Sequence, residues 1–177
     1  MSQRLYFYSL ISRLIPETRF YSLKAYLLTW CGYSISRSAR IVSSVKFVGA
    51  FEFSVGNDTF IGHEVLVAGG QCLIFIGKCC DLAPRVCLIA GTHEIDMIGD
   101  HTAGKGNSQA IIIEDGVWIG ANVTVLGGVR IGKKSVIAAG STVIHDIPPF
   151  TIAAGTPCVV IKEWDADRQC WISIKKE

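Results

Sequence analysis

Large aliphatic residues recur at every sixth position from Ile113 to Val143: Ile113, Ile119, Val125, Ile131, Ile137 and Val143. That period fits neither a 3.6-residue helix nor a two-residue strand. It fits a short strand and a tight turn, repeated. Three such units close one triangular coil of roughly eighteen residues, with the aliphatic filling the inside of the prism. The position after each aliphatic holds Glu114, Gly120, Leu126, Gly132, Ala138 or Ile144, and is often small. Four positions on stand Val117, Val123, Val129, Ser135, Ser141 and Ile147, mostly small or β-branched. Glycine helps the chain bend where a side chain would clash. Stacked coils then pair as parallel strands, about 4.8 Å per rung. The sequence thus predicts an all-β solenoid, a parallel β-helix of hexapeptide repeats.

The same rhythm runs earlier, in three shorter registers: Ile35, Ile41, Phe47; Val55, Ile61, Val67; and Ile76, Leu82, Leu88. Between them the phase slips, which predicts bulges or corner insertions at 53–54 and 73–75. The 177 residues suit one domain, and half of them are hydrophobic, which excludes a disordered chain. A formal charge of +2, with no basic run and no aromatic–basic alternation, argues against a nucleic-acid partner. Seven cysteines without C-x-x-C spacing read as reduced packing residues of a cytoplasmic protein. The apolar N-terminus lacks a cleavage site, and Arg13, Glu17, Arg19 and Lys24 break it well short of a membrane span.

The stretch from Ile111 to Lys162, with its VWIGANVTVLGGVRIG core and DIPPFTIAAGTPCVVIK ending, resembles the hexapeptide-repeat acyltransferases. Upstream, IGKCCDLAPRVCLIAGTH is similar to the family segment that ends on a catalytic histidine. Together the likeness covers about 35–162 and is nearest to sugar and exopolysaccharide O-acetyltransferases of the galactoside, maltose and colanic-acid type. It implies left-handed coils, acetyl-CoA as donor, a homotrimer with sites between subunits, and no metal. Periodicity alone does not give the handedness.

Three segments stand apart from the repeat. Residues 1–33 predict a helical cap ahead of a β-helix at 34–162. Phe7, Leu10, Ile11 and Leu14 share one helical face, and Phe20, Leu23, Leu27 and Trp30 share another; Pro16 separates them and Gly32 stops the second. A solenoid has open ends that need covering. The alternative for the same segment is a peripheral contact with the inner face of a membrane. Residues 94–110 are polar and aperiodic and predict a protruding loop. Residues 163–177 predict a C-terminal tail with a short strand near Trp171 and Ser173.

Acyl transfer from a thioester to a hydroxyl needs a base with a pKa near neutrality, and histidine is the natural choice. The resemblance implies that base at His93, at the end of IAGTH. It implies an acceptor role for His63, where galactoside-type relatives carry an asparagine, and the loop adds Glu94, Asp96 and His101. The loop also offers Asp100, Asn107, Ser108 and Gln109, a mixture suited to a hydroxyl-rich ligand. For the donor, the resemblance implies Trp118 near the thioester and the small residues Gly120, Ala121, Ala139 and Gly140 beside the pantetheine arm. It implies His145 and Lys162 near the phosphates. No cysteine is implied as nucleophile, so the acceptor attacks directly. The predicted function is acetyl transfer to a sugar hydroxyl in surface-polysaccharide synthesis. N-acetylation of a nucleotide-linked amino sugar, a metal-dependent enzyme like the γ-class carbonic anhydrases, and a non-catalytic β-helix scaffold are the alternatives.

Overall fold

The computed structural model describes residues 3–174. The outermost positions of the predicted cap and tail, 1–2 and 175–177, lie outside the described residues. Two short helices, α1 (Gln3–Ser12) and α2 (Tyr21–Trp30), precede twenty strands. Three parallel sheets make the faces of a prism. Face one stacks β1 (Ser34–Ile35), β4 (Glu52–Val55), β7 (Leu73–Ile76), β12 (Ile111–Ile113) and β15 (Arg130–Ile131). Face two stacks β2 (Arg40–Ile41), β5 (Phe60–Ile61), β8 (Asp81–Leu82), β13 (Trp118–Ile119), β16 (Val136–Ile137) and β18 (Thr151–Ala154). Face three stacks β3 (Lys46–Gly49), β6 (Leu66–Gly69), β9 (Cys87–Ile89), β14 (Thr124–Leu126) and β17 (Thr142–Val143). The fold is a left-handed parallel β-helix of hexapeptide repeats.

The register is the hexad made solid. Ile113 pairs with Ile131, Ile119 with Ile137, and Val125 with Val143, one coil on in each case. All six aliphatics are fully buried inside the prism. Each large apolar side chain so enclosed contributes about 1.5–3 kcal/mol. Two of the three edges carry left-handed backbone as a column in coil after coil. Asp58, Cys79, Gly116 and Lys134 form one column with φ between 55° and 69°, between faces one and two. Glu64, Arg85, Asn122 and Gly140 form the other, with φ between 56° and 73°, between faces two and three. Main-chain hydrogen bonds tie each column from coil to coil, as from Arg85 N–H to the His63 carbonyl at 2.8 Å.

The early coils are longer than three hexads, as the slipping phase predicts, but the extra residues sit elsewhere. Positions 53–54 and 73–75 lie within β4 and β7, and the additional chain is at the corners 50–51 and 70–72. At 50–51 the reason is aromatic packing. Phe51 stacks on Tyr33 with centroids 5.8 Å apart, and Phe53 meets both Tyr33 and Phe47 at about 5.5 Å, so the corner widens around these rings.

That aromatic cluster closes the first coil, and the helices lie over it. Tyr8 meets Phe47 edge-on at 6.2 Å, and Leu5, Ala25 and Leu28 are buried with it. The faces that stand out in the sequence are not the ones that pack on the coil. Phe7, Leu10, Ile11 and Leu14 of the first segment point outward, as do Phe20, Leu23 and Trp30 of the second; only Leu27 is partly buried. Both sides of each helix carry apolar residues at helical spacing, and the side bearing Leu5 and Tyr8 fits the ring cluster. The linker is pinned from within. Lys24, fully buried, donates to the Glu17 carbonyl at 2.6 Å and to Ser43 Oγ at 3.3 Å.

At the other end β18 is covered by an antiparallel hairpin of β19 (Val159–Asp165) and β20 (Cys170–Ser173), in which Trp164 packs edge-on against Trp171 at 5.3 Å. Thus the last strand of face two has a partner on its outer side.

Candidate active site

The coil is interrupted once, on the edge between faces three and one. Buried Ala90 still pairs its N–H with the Ala68 carbonyl at 2.8 Å, then the chain leaves the prism. It runs out as β10 (Gly91–Ile95), returns as β11 (Ala103–Ser108), and rejoins face one at β12. The excursion expected as a loop is an antiparallel ribbon, with Thr92 opposite Asn107 and His93 opposite Gly106. Ser108 anchors its base by accepting a hydrogen bond from Gly70 N–H at 3.0 Å.

This ribbon fixes the imidazole of His93. Its Nδ1 lies 2.8 Å from the Gly104 carbonyl. A carbonyl only accepts, so Nδ1 carries the proton and Nε2 keeps the lone pair in the neutral ring. The backbone of the opposite strand therefore sets the tautomer, and no carboxylate is needed to do so. The ring borders a cleft of about 590 Å³ lined by Gly70, Gln71, Gly91, Thr92, Gly106, Asn107 and Ser108. Its polar groups are amide and hydroxyl, which both donate and accept.

Gln71 and Thr92 escaped the reading of the sequence. Gln71 lies in the corner insertion at 70–72, one coil below the point where the ribbon departs. The broken phase there was the available signal. The other residues expected at the acceptor lie outside the lining of this cleft. His63 stands on the edge between faces two and three, where its Nδ1 pairs with the Glu17 carboxylate. Ser44 Oγ donates to the same Glu17 oxygen at 3.1 Å, so the imidazole is held against the linker of the cap. Asp96 is occupied by the ribbon's own turn: Oδ1 accepts from Gly99 and Ile98 N–H at 2.9 and 2.8 Å, and these bonds draw its carboxyl below the ordinary range. Glu94 is exposed on β10 next to His93, where strand alternation sends it to the opposite side. His101 is exposed in the segment between β10 and β11.

The residues expected at the donor divide between places. Gly120, Ala121, Ala139 and Gly140 gather on the edge between faces two and three, one coil above the other. Gly140 N–H donates to the Ala121 carbonyl at 2.8 Å, and Gly120 N–H to the Ile137 carbonyl at 2.8 Å. Gly120 has a structural reason to lack a side chain, since a Cβ there would lie 2.6 Å from Ala139 N. Gly140 faces open space, where a Cβ would meet nothing within 4 Å. With Ala139 exposed beside it, this edge is shallow and unobstructed. Trp118 is 57% exposed on face two, between Asp81 and Val136 of the neighbouring strands. His145 is exposed on the same edge as the ribbon, further along the prism. Lys162 lies on β19 opposite Ile152 and Ser173. In one chain, then, the base and the small-residue edge flank face three from opposite sides.

The repeat family described as Bacterial transferase hexapeptide (six repeats) matches residues 110–145. The galactoside O-acetyltransferase of Escherichia coli (strain K12) is 39% identical over 119 residues, which are 63% of this chain and 57% of that protein. A hexapeptide-repeat acetyltransferase of Vibrio cholerae O1 biovar eltor, solved with acetyl coenzyme A, superposes with a TM-score of 0.72 at 25% identity, over 92% of this chain and 86% of its own. The polysialic-acid-specific acetyltransferase NeuO superposes with a TM-score of 0.63 at 32% identity, over 74% of this chain and 61% of its own. The chain spans less than two thirds of the length of the curated relatives it matches.

Proposed function

Since the chain belongs to the hexapeptide-repeat transferase family, we propose that it transfers an acetyl group from acetyl-CoA to a hydroxyl of a sugar, with His93 as general base. The observation that carries this reading is the His93 imidazole, held by the Gly104 carbonyl with Nε2 free, beside a cleft lined by Gln71, Thr92, Asn107 and Ser108. The similarity to a galactoside O-acetyltransferase and to an acetyltransferase specific for a sialic-acid polymer favours a glycan of a surface polysaccharide as acceptor.

The chemistry follows from the geometry. A sugar hydroxyl in the cleft donates to Nε2. As its oxygen attacks the thioester carbonyl, the proton passes to Nε2 and the ring becomes imidazolium, its Nδ1–H still on the Gly104 carbonyl. When the tetrahedral adduct collapses, the C–S bond breaks and the imidazolium returns the proton to the departing sulfur, so His93 ends as it began. No acyl-enzyme is formed. The donor's pantetheine arm fits the open edge at Ala139 and Gly140, which offers room and no bulky side chain. That edge and His93 lie on different sides of face three, so a complete site takes its base from one copy and its donor edge from the next. A cyclic homotrimer closes such contacts. The ribbon supports this arrangement: Ile95, Met97 and Ile98 at its far end are at least 80% exposed and suit a neighbouring copy.

The test is a product assay with acetyl-CoA against sugars, oligosaccharides and nucleotide-linked amino sugars. A sugar ester should form, and His93→Ala should lower kcat by about 10²–10⁴ with little change in acetyl-CoA binding. Near-normal turnover of His93→Ala removes the base assignment. A better kcat/KM for an amino sugar replaces O-acetylation by N-acetylation.

A further inference from the structure

The geometry points to a second functional surface at the capped end of the prism, and we propose that the outward face of α1 and α2 docks on an anionic lipid surface. The cap needs only one side of each helix to close the coil. Leu5, Tyr8 and Leu28 already cover the aromatic cluster. The opposite side is left to solvent with Phe7 54%, Leu14 86%, Phe20 63% and Tyr26 68% exposed, and Leu10, Ile11 and Trp30 between 41% and 46%. Phe7, Leu10 and Ile11 make a stripe along α1, and Leu14 follows in the turn just after its last residue.

Charge says what covers this face. The described cap carries Arg4, Arg13, Arg19 and Lys24 against a single acid, Glu17. Glu17 is turned toward His63 and Ser44, and Lys24 is buried beneath the linker. Arg13 and Arg19 remain exposed and directly precede Leu14 and Phe20 of the apolar face in the chain, and the Arg4 guanidinium lies over the Trp30 ring at 5.3 Å. Aromatic and aliphatic side chains with a cationic rim are what the boundary between headgroups and acyl chains takes up, and the arginines meet anionic headgroups there. A second copy of the chain carries the same cations, so pairing this face with itself brings like charges together. Each helix is ten residues, and no described helix is long and apolar enough to cross a membrane, so the contact lies in the plane of the surface. The face is at the end of the prism, whereas the ribbon leaves its side; side-by-side assembly of copies leaves the end free.

The experiment uses the full chain and vesicles of phosphatidylcholine, with and without phosphatidylglycerol. The protein should co-sediment with the phosphatidylglycerol vesicles, and added salt should release part of it. Phe7→Ser with Leu14→Ser, and separately Arg13→Glu with Arg19→Glu, should each weaken partitioning about tenfold or more, without changing oligomeric state or turnover of a soluble acceptor. The charge-reversal pair alters exposed side chains only, so it remains informative if the apolar pair misfolds. The proposal is overturned if the wild type does not bind these vesicles, if the charge-reversal pair leaves binding intact, or if either pair dissociates the oligomer, which would make the face an interface between copies.

Discussion

Gly116 and Gly132 both turn corners between faces one and two, yet for different reasons. Gly116 sits at φ 69°, where a Cβ would meet only the flexible side chain of Lys134 at 2.9 Å. Its substitution by alanine faces a backbone penalty of about 1–2 kcal/mol. At Gly132 a Cβ would lie 2.4 Å from Pro149 N and 2.7 Å from its Cα, which are backbone and cannot swing aside. Gly132→Ala should therefore cost about 3 kcal/mol or more, clearly exceeding Gly116→Ala in chemical denaturation. Equal losses would show that the coils part freely at Pro149. Small residues after the hexad aliphatics were legible in the sequence because coil stacking demands them. The left-handed columns were less so: Asp58 and Asn122 are residue types that tolerate this conformation, but Glu64, Cys79, Arg85 and Lys134 hold positions that glycine usually marks, and nothing in their identity announces it. Cys80 behaves as the sequence suggested for a packing thiol. It is enclosed, its Sγ is 3.0 Å from the Glu114 carbonyl, and burial pushes its pKa up.

Among the elements, strands of the coils were the most legible, because one periodicity serves strand, turn and core at once. The helices were legible as helices but not in orientation: amphipathic spacing identifies a face without saying what lies opposite it, and the ring cluster of Tyr33, Phe47 and Phe53 chose the side of Leu5 and Tyr8. The ribbon was legible as an excursion but not as paired strands. Gly104 and Gly106, which approach His93 from β11, carry no strand propensity; pairing there comes from the fixed ends at Gly91 and Ser108. Its far end bears Ile95, Met97 and Ile98 in solvent, 80%, 82% and 99% exposed. If these meet another copy, Met97→Asp with Ile98→Asp should shift the protein toward smaller species in sedimentation velocity while its β-sheet circular dichroism and thermal transition hold. An unchanged sedimentation coefficient would assign the tip to solvent. The substitutions spare Gly104, so the hydrogen bond to His93 is kept.

At the scale of the whole molecule, the sequence places the proposed base and the proposed donor edge only 27–47 residues apart, and the prism then sets them on different edges. His93 leaves from the edge between faces three and one, while Ala139 and Gly140 stand between faces two and three. Face three lies between them, so one chain does not bring both to a single thioester. An assembly in which the ribbon edge of one copy faces the small-residue edge of the next does so, and it makes a complementation experiment decisive. His93→Ala leaves a chain with an intact donor edge and no base. Ala139→Phe leaves a chain with an intact base and a blocked edge, since Ala139 is exposed and a ring there fills the groove without entering the core. Each variant alone should be nearly inactive. Unfolded together and refolded as mixed assemblies, they should regain activity, because roughly a quarter of randomly formed interfaces pair the intact base of one chain with the intact edge of the other. Sites built within one chain would give no recovery, since every chain in the mixture carries one lesion. Recovery that disappears when the two proteins are merely combined without refolding would locate the effect in the assembled interface rather than in exchange of product.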